Sequence, residues 1–258
     1  MKSIWTGSIG FGLVNIPVKM YSATAESSLD LDMLDKKDLS NIRFMRVNAK
    51  TGKEVKWENI IKGYNLNGRY VLLNDKDFEN ASPEKTKEIK ITQFVHETEI
   101  DSIYYEMPYY LEPEKNGVRP YELLRDSLKK TGKAGLGSFV MRNREHLLII
   151  KASGNVIIAN RIRFMEEIRK PELKIPNARS NPKELKMATA LINQLTKPFN
   201  IAKFKDTYTG ALLKTIKNKA KGKQTEPKPL RVVHSQTRDL MDQLKASIEE
   251  TGKKRKAS

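Results

Sequence analysis

The stretch Tyr64-Asn65-Leu66-Asn67-Gly68-Arg69-Tyr70-Val71-Leu72 sets an Asn-Gly pair between two apolar runs. That pair accepts the positive φ needed at both central residues of a two-residue hairpin turn, which makes it the strongest short-range hairpin signal. The pattern recurs along the chain. Residues 147–150, the turn Ser153-Gly154-Asn155 and residues 156–159 read as a second hairpin, while Ile89, Ile91, Gln93 and Val95 mark one side of a strand of period two, with Gln93 the exception. Short strands joined by hairpins over residues 1 to about 165 imply an antiparallel barrel or sandwich. One helix interrupts them. Pro120 sits near its start, Tyr121, Leu124 and Leu128 form its apolar stripe, and Gly132 stops it. It is expected to pack on the sheet.

The segment GSIGFGLVNIPVKMYSA, residues 7–23, resembles a phosphate-binding loop only superficially. Gly10-x-Gly12 lacks the third glycine of the dinucleotide fingerprint, and the following Val14-Asn15-Ile16-Pro17 reads as extended chain rather than helix. The Gly-Lys pairs at 52, 132, 222 and 252 lack the rest of a P-loop. These early glycines are expected to let a strand bend or pass close to another backbone. Glycines, Asn15 and Pro17 also interrupt the run too often for a signal peptide, and no apolar run reaches the ~18–20 residues of a membrane span. A cytoplasmic location is expected, in keeping with the absence of cysteine.

Beyond Pro171 the character changes. Residues 171–181 read as a linker, and Asn181-Pro182-Lys183-Glu184 combines an N-cap, an initial proline and a first-turn carboxylate. Leu185, Ala188, Leu191, Ile192 and Leu195 then give an apolar face, and Pro198 ends the helix. A second helix is expected over about 206–219, a flexible linker over 222–229, and a last helix over about 235–248.

Charge identifies the class of partner. The chain carries 48 Lys and Arg against 31 Asp and Glu, a net of +17, which favours a polyanion: DNA, RNA or an anionic membrane surface. Residues 214–258 alone hold 13 cations against 5 anions and end in Lys253-Lys254-Arg255-Lys256. Motifs for chemistry are sparse. His96, His146 and His234 lack metal spacing, and without Cys a zinc site is not expected. Asp30, Asp32 and Asp35 read as a polar loop. Glu97, Glu99 and Asp101 alternate as they would along one strand face, which leaves open a metal-dependent nuclease; the solvated side of a barrel is the commoner meaning. An RNA-binding basic barrel is the other alternative, disfavoured because aromatic content is 7% and mostly in strand patterns, not in stacking platforms.

The run from Ser3 through Gly7-Ser8-Ile9-Gly10-Phe11-Gly12-Leu13-Val14-Asn15-Ile16-Pro17-Val18 to Ala23 closely resembles the N-terminus of the bacterial Ku family. The likeness continues in Ile61-Lys62-Gly63-Tyr64, Glu99-Ile100-Asp101-Ser102, Tyr109-Tyr110-Leu111-Glu112-Pro113 and Tyr121-Glu122-Leu123-Leu124-Arg125. It recurs in Arg142-Asn143-Arg144-Glu145-His146, Glu184-Leu185-Lys186-Met187-Ala188 and Lys205-Asp206-Thr207-Tyr208, covering about residues 1–222.

The resemblance implies a mainly β fold with α: a Ku-type β-barrel core with a bridging arm insertion, then a helical C-terminal region and a basic tail. The implied division is a core over 1–175 with the arm at about 35–85, a helical region over 180–222, and a basic extension over 223–258. It implies no enzyme and no cofactor or metal. It implies a homodimeric ring that binds double-stranded DNA ends without sequence preference in non-homologous end joining, nucleoid-associated in the cytoplasm, and that recruits the ATP-dependent DNA ligase D. The candidate DNA-binding residues are Lys36, Lys37, Arg43, Arg46, Lys50, Lys53, Lys56, Lys62 and Arg69 in the arm, Arg142 and Arg144 at a strand end, and Lys253, Lys254, Arg255 and Lys256 in the tail. Leu185, Leu191, Leu195 and Tyr208 are the candidates for ligase contact.

Overall fold

Seven strands close a barrel around one apolar interior, in the order β1-β2-β6-β9-β8-β7-β5. In chain order, β1 (Trp5–Phe11) and β2 (Val14–Ser22) form a hairpin. A long excursion then carries β3 (Lys62–Leu66), β4 (Arg69–Leu73) and helix α1 (Asp75–Asn80). β5 (Glu88–His96), β6 (Tyr105–Pro113), helix α2 (Val118–Thr131), β7 (Lys133–Met141), β8 (Arg144–Ser153) and β9 (Val156–Ile162) complete the barrel. Helices α3 (Pro182–Leu195), α4 (Thr207–Ala220) and α5 (Leu240–Lys256) follow. The description rests on a computed structural model covering residues 1–82, 86–176, 181–223 and 240–256, with residues 250–256 as backbone only.

Closure follows from strand parity. An odd number of strands cannot alternate in direction all the way round, so a barrel of seven must contain a parallel pair. That pair is β1 with β5, in the register Ser8↔Glu88 to Gly10↔Lys90, and every other pairing is antiparallel. Period-two alternation supplies the core, with Ile16, Val18 and Met20 of β2 fully buried beside Ile9, Ile89, Ile150 and Ile157. Gly7 shows why the first strand is glycine-rich: a Cβ there would stand 2.0 Å from the Lys87 carbonyl oxygen. Gly137 meets the Lys90 carbonyl at 2.2 Å in the same way. Both glycines let backbone lie directly against the residues around β5.

Helix α2 stoppers one end of the barrel. Tyr121, Leu124 and Leu128, spaced along one face, join the core cluster, and Gly132 ends the helix. The buried Tyr121 hydroxyl donates to the Leu111 carbonyl at 2.7 Å and accepts from the Ile157 N–H at 2.6 Å, so it ties the helix to paired residues of β6 and β9. Burial pushes its pKa up. Tyr121→Phe leaves both backbone groups without this partner and is expected to cost about 1–3 kcal/mol, read as a lower urea midpoint with unchanged m-value.

The β5 stripe does not run as expected. The register slips between Ile91 and Gln93, so Thr92 is an extra residue whose hydroxyl donates to the Leu136 carbonyl at 3.1 Å. Such a bulge reverses the phase of alternation. Ile89 and Ile91 are buried in the core, whereas Val95 faces the outer surface beside Leu136, and Phe94 turns towards Phe11 at 5.9 Å between ring centroids.

The excursion leaves β2 at Ser22 and returns to β5 at Glu88. Both strands flank β1, with Ser22 in register beyond Trp5 and Glu88 opposite Ser8, so the two roots lie about 20 Å apart, two strand spacings across and about five residues along. The β7–β8 turn lies at the Trp5 end of β1, because Val140 accepts a hydrogen bond from the Trp5 indole at 3.1 Å. The barrel end closed by α2 is the opposite one.

By its contacts the chain divides into a unit of Met1–Glu26 with Asp30–Lys170 and a unit of Ser27–Leu29 with Pro171–Ser258. In the second unit Asn181 caps α3 as expected, its side chain accepting from the Lys183 N–H, and Asp206 caps α4. α3 packs against α5, where Gln194 Nε2 donates to the Ile248 carbonyl at 3.3 Å. The last helix runs past its expected end. Residues 235–239 lie outside the described residues, as do 224–229 of the expected linker, and α5 continues through Gly252 to Lys256. Lysines and arginine at its C-terminal turn favour that extension, since cations stabilise the negative end of the helix dipole.

Candidate nucleic-acid interface

The excursion between β2 and β5 carries nine of the eleven candidate cations of the first unit and builds no interior of its own. None of its described residues is buried. Its order comes from local polar chemistry. The bridge Leu34↔Asn41 frames a turn in which the Asp35 carboxylate accepts from the Lys37 N–H at 2.8 Å. Asp38 accepts from Ser40, which holds its carboxyl below the usual carboxylate range. The bridge Val47↔Glu54 frames a second turn, where Asn48 Oδ1 accepts from Lys50 and Thr51 at 2.9 and 3.0 Å. The β3–β4 hairpin turns through Asn67 and Gly68, at φ 50° and 87°, as the Asn-Gly pair requires. Asn74 and Asp77 then form a reciprocal cap on α1.

These turns display Lys36, Lys37, Lys50 and Lys53, while Arg43 and Arg46 lie between the two bridges. All nine arm cations are exposed, and among the described residues none makes an ion pair. Lys36 and Lys37 are flanked by Asp35 and Asp38, so that turn is locally near neutral. From Arg43 to Arg69, by contrast, seven cations face only Glu54 and Glu58. The Arg46 guanidinium lies 4.7 Å over the Trp57 ring and the Lys62 ammonium 4.6 Å over Phe78. Such stacking fixes a cation without neutralising it.

Arg142 and Arg144 are brought to the same end of the barrel as the arm's roots. Arg142 and Asn143 form the β7–β8 turn at φ 52° and 63°, and both arginines are exposed. Two other barrel arginines are already committed. Arg161 clasps Glu106 at 2.8 and 2.5 Å and holds that carboxyl below its usual range, and Arg163 donates to the Ile103 and Tyr105 carbonyls.

The carboxylate stripe at Glu97, Glu99 and Asp101 does not exist as a strand face. These residues lie in and between two 3-10 turns, and each carboxylate serves its own neighbour. Glu97 pairs with Lys151, Glu99 accepts from the His96 N–H at 3.1 Å, and Asp101 caps Ile103 at 3.0 Å. Among the described residues no group of three or more His, Asp or Glu is placed to hold a metal.

The apolar side chains of the arm were missed as a functional signal. Phe44 is 81% exposed, Trp57 69% and Tyr70 67%, and Leu39 and Leu72 are likewise open. The exposed aromatics judged absent from the sequence are therefore present, in the arm and also at Phe199, Phe204 and Tyr208 of the helical unit. The signal was available: a hairpin with apolar residues on both faces is followed in its own segment only by the six-residue helix α1, too short to cover both of them. A lone two-stranded sheet is marginal in water, so this arm calls for a partner surface.

In the helical unit Leu185 and Leu195 are exposed, as is Tyr208, whereas Leu191 is half-buried. The expected single face of α3 is thus split between an open side with Leu185, Ile192 and Leu195 and a side with Met187, Ala188 and Leu191 half-buried. Lys253, Lys254, Arg255 and Lys256 fall in the last turn of α5, and their side chains lie outside the described residues. No helix among the described residues is long and apolar enough to cross a membrane.

Residues 10–187 match the family model described as the Ku70/Ku80 beta-barrel domain. Relatives named "Non-homologous end joining protein Ku" align over nearly the whole chain. The one from Opitutus terrae is 40% identical, covering 98% of this chain and 93% of its own. The Coxiella burnetii protein is 36% identical with 99% and 97% covered, and that of Bacillus subtilis 36% with 97% and 83%.

Proposed function

This chain belongs to the Ku family, and on that premise we propose that it binds double-stranded DNA ends as a ring-shaped homodimer in non-homologous end joining. One observation carries the reading: an arm without an interior, lined by both unpaired cations and exposed apolar side chains, rooted at one end of a closed barrel. The apolar faces fit a second copy, since a two-fold interface sets the same patch against itself. The cations fit phosphate, which fixes register but carries no sequence information. The protein acts by binding and not by catalysis. Its helical region over 180–222 recruits ligase D through the open side of α3 and Tyr208, and the basic extension adds phosphate contacts. It works in the cytoplasm on nucleoid DNA.

The test uses one duplex in three topologies. Linear DNA should bind, and the same DNA as a closed circle should not. A hairpin-capped linear duplex should bind weakly, because a ring must thread over an end. Equal affinity for circle and linear fragment would remove the ring from the reading. Incubation with magnesium and labelled DNA should leave the strands intact.

A further inference from the structure

Within the arm, a cleft of about 500 Å³ opens between the 3-10 turn Trp57–Asn59, the first residue of β3 and helix α1. That volume falls in the range of small-ligand clefts. Two aromatic rings line it. Trp57 is largely exposed, with the Arg46 guanidinium over one face of the indole. Phe78 lines the cleft from α1, with the Lys62 ammonium over its ring. Neither ring joins a buried cluster, so core packing does not account for them. Nor do they belong to the apolar faces that fit a second copy: of the exposed hairpin residues Tyr64, Leu66, Tyr70, Val71 and Leu72, none lines the cleft.

The lining chemistry selects the ligand. Lys62 lines the cleft and Arg46 stands over Trp57, but Glu58 and Asp75 line it too, so its charge is balanced. Two carboxylates would repel a phosphate seated inside. A nucleobase is neutral and stacks on aromatic and guanidinium surfaces. Its edge suits the carboxylates, which accept hydrogen bonds from the amino group of cytosine or adenine. Among the described residues neither carboxylate is held in an ion pair. A base inside a duplex is already stacked and paired, so only an unpaired base can enter. On the reading of this chain as a DNA-end-binding protein, we propose that the cleft takes an unpaired base from a single-stranded overhang, stacked against Trp57 with its amino group donating to Glu58 or Asp75. Lys56, exposed immediately before the turn, supplies a cation for the backbone of that strand. An end with an overhang is then held more tightly than a blunt one.

The test adds a single-stranded tail of about six deoxycytidines to a linear duplex and follows binding by anisotropy. The tailed duplex should bind about tenfold tighter than the blunt one, whereas an abasic tail with the same phosphates should add about twofold at most. Trp57→Ala, at an exposed position, should bring the tailed-to-blunt ratio down to that of the abasic tail, and Trp57→Phe, which keeps a ring, should retain most of it. The ratio is the readout because loosening Arg46 lowers blunt and tailed affinity together. Fluorescence reads the stacking directly. Of the two tryptophans, Trp5 is half-buried and its indole donates to the Val140 carbonyl, so a free deoxycytidine oligonucleotide should quench Trp57, and Trp57→Phe should abolish the quenching. Equal gain from the abasic and deoxycytidine tails, or a ratio unmoved by Trp57→Ala, would overturn the proposal. So would a lower oligomeric mass in Trp57→Ala, which would make the cleft a contact between copies. Quenching by the free oligonucleotide involves no duplex, so its absence refutes the cleft alone. Equal binding of circle and linear duplex with quenching intact refutes the end-binding reading alone.

Discussion

Excising residues 31–82 is expected to leave a folded barrel that is monomeric and has lost DNA binding. The arm contributes no buried residue, so its removal opens no cavity in the core. Its roots at Ser22 and Glu88 lie about 20 Å apart on either side of β1, and the residues left between them, 23–30 and 83–87, span that gap easily at ~3.3 Å per residue. What disappears is the hairpin with both faces open, together with all nine arm cations. Circular dichroism should therefore show a cooperative melt like that of the whole protein, sedimentation velocity should report a single chain, and affinity for a linear duplex should fall about a hundredfold or more at moderate salt. A dimer surviving the excision would place the two-fold contact on the barrel. Retained DNA affinity would move the phosphate grip to Arg142, Arg144 and the C-terminal segment.

How far the sequence revealed this arrangement depends on how local each determinant is. The Asn67-Gly68 hairpin, the α2 stripe and the Asn181 cap were legible because each is written within a few residues. Closure came through the family resemblance and not from local pattern, because the β1–β5 pair joins residues some eighty positions apart and leaves no local periodicity. The bulge at Thr92 was not legible: the Gln93 exception was visible, but an extra residue and a polar intrusion look alike in a one-dimensional pattern. The carboxylates at 97, 99 and 101 misled for a related reason. Alternation is evidence of a face only if the segment is a strand, and here short turns reproduce the spacing by chance. The candidate cations were legible as charge. Which of the chain's other cations are committed to carboxylates, as Arg161 is to Glu106, is a property of packing alone.

The second large effect separates the arm from the tail as the source of electrostatic affinity. Each cation that neutralises a phosphate releases condensed counterion and contributes about 0.9 to the slope of log affinity against log salt. Replacing Arg43, Arg46, Lys50, Lys53 and Lys56 by Gln should therefore flatten the slope by about three to four units, somewhat below the ceiling for five contacts. Arg46 is the strongest single candidate, since its position over Trp57 orders it before DNA arrives and lowers the entropy lost on contact. For the tail, truncation after Gly222 would be an impure test, because it also strips α5 from α3 and lays bare the half-buried side of that helix. Neutralising Lys253, Lys254, Arg255 and Lys256 by Gln keeps α5 in place and should flatten the slope by about two units. Both variants should still prefer linear DNA to closed circles, because topology and not charge imposes that preference. A steeper loss from the tail variant than from the arm variant would make the tail the principal grip and the arm chiefly a dimer contact. Loss of end preference in either variant, with affinity kept, would mean that the charges and not the ring recognise the break.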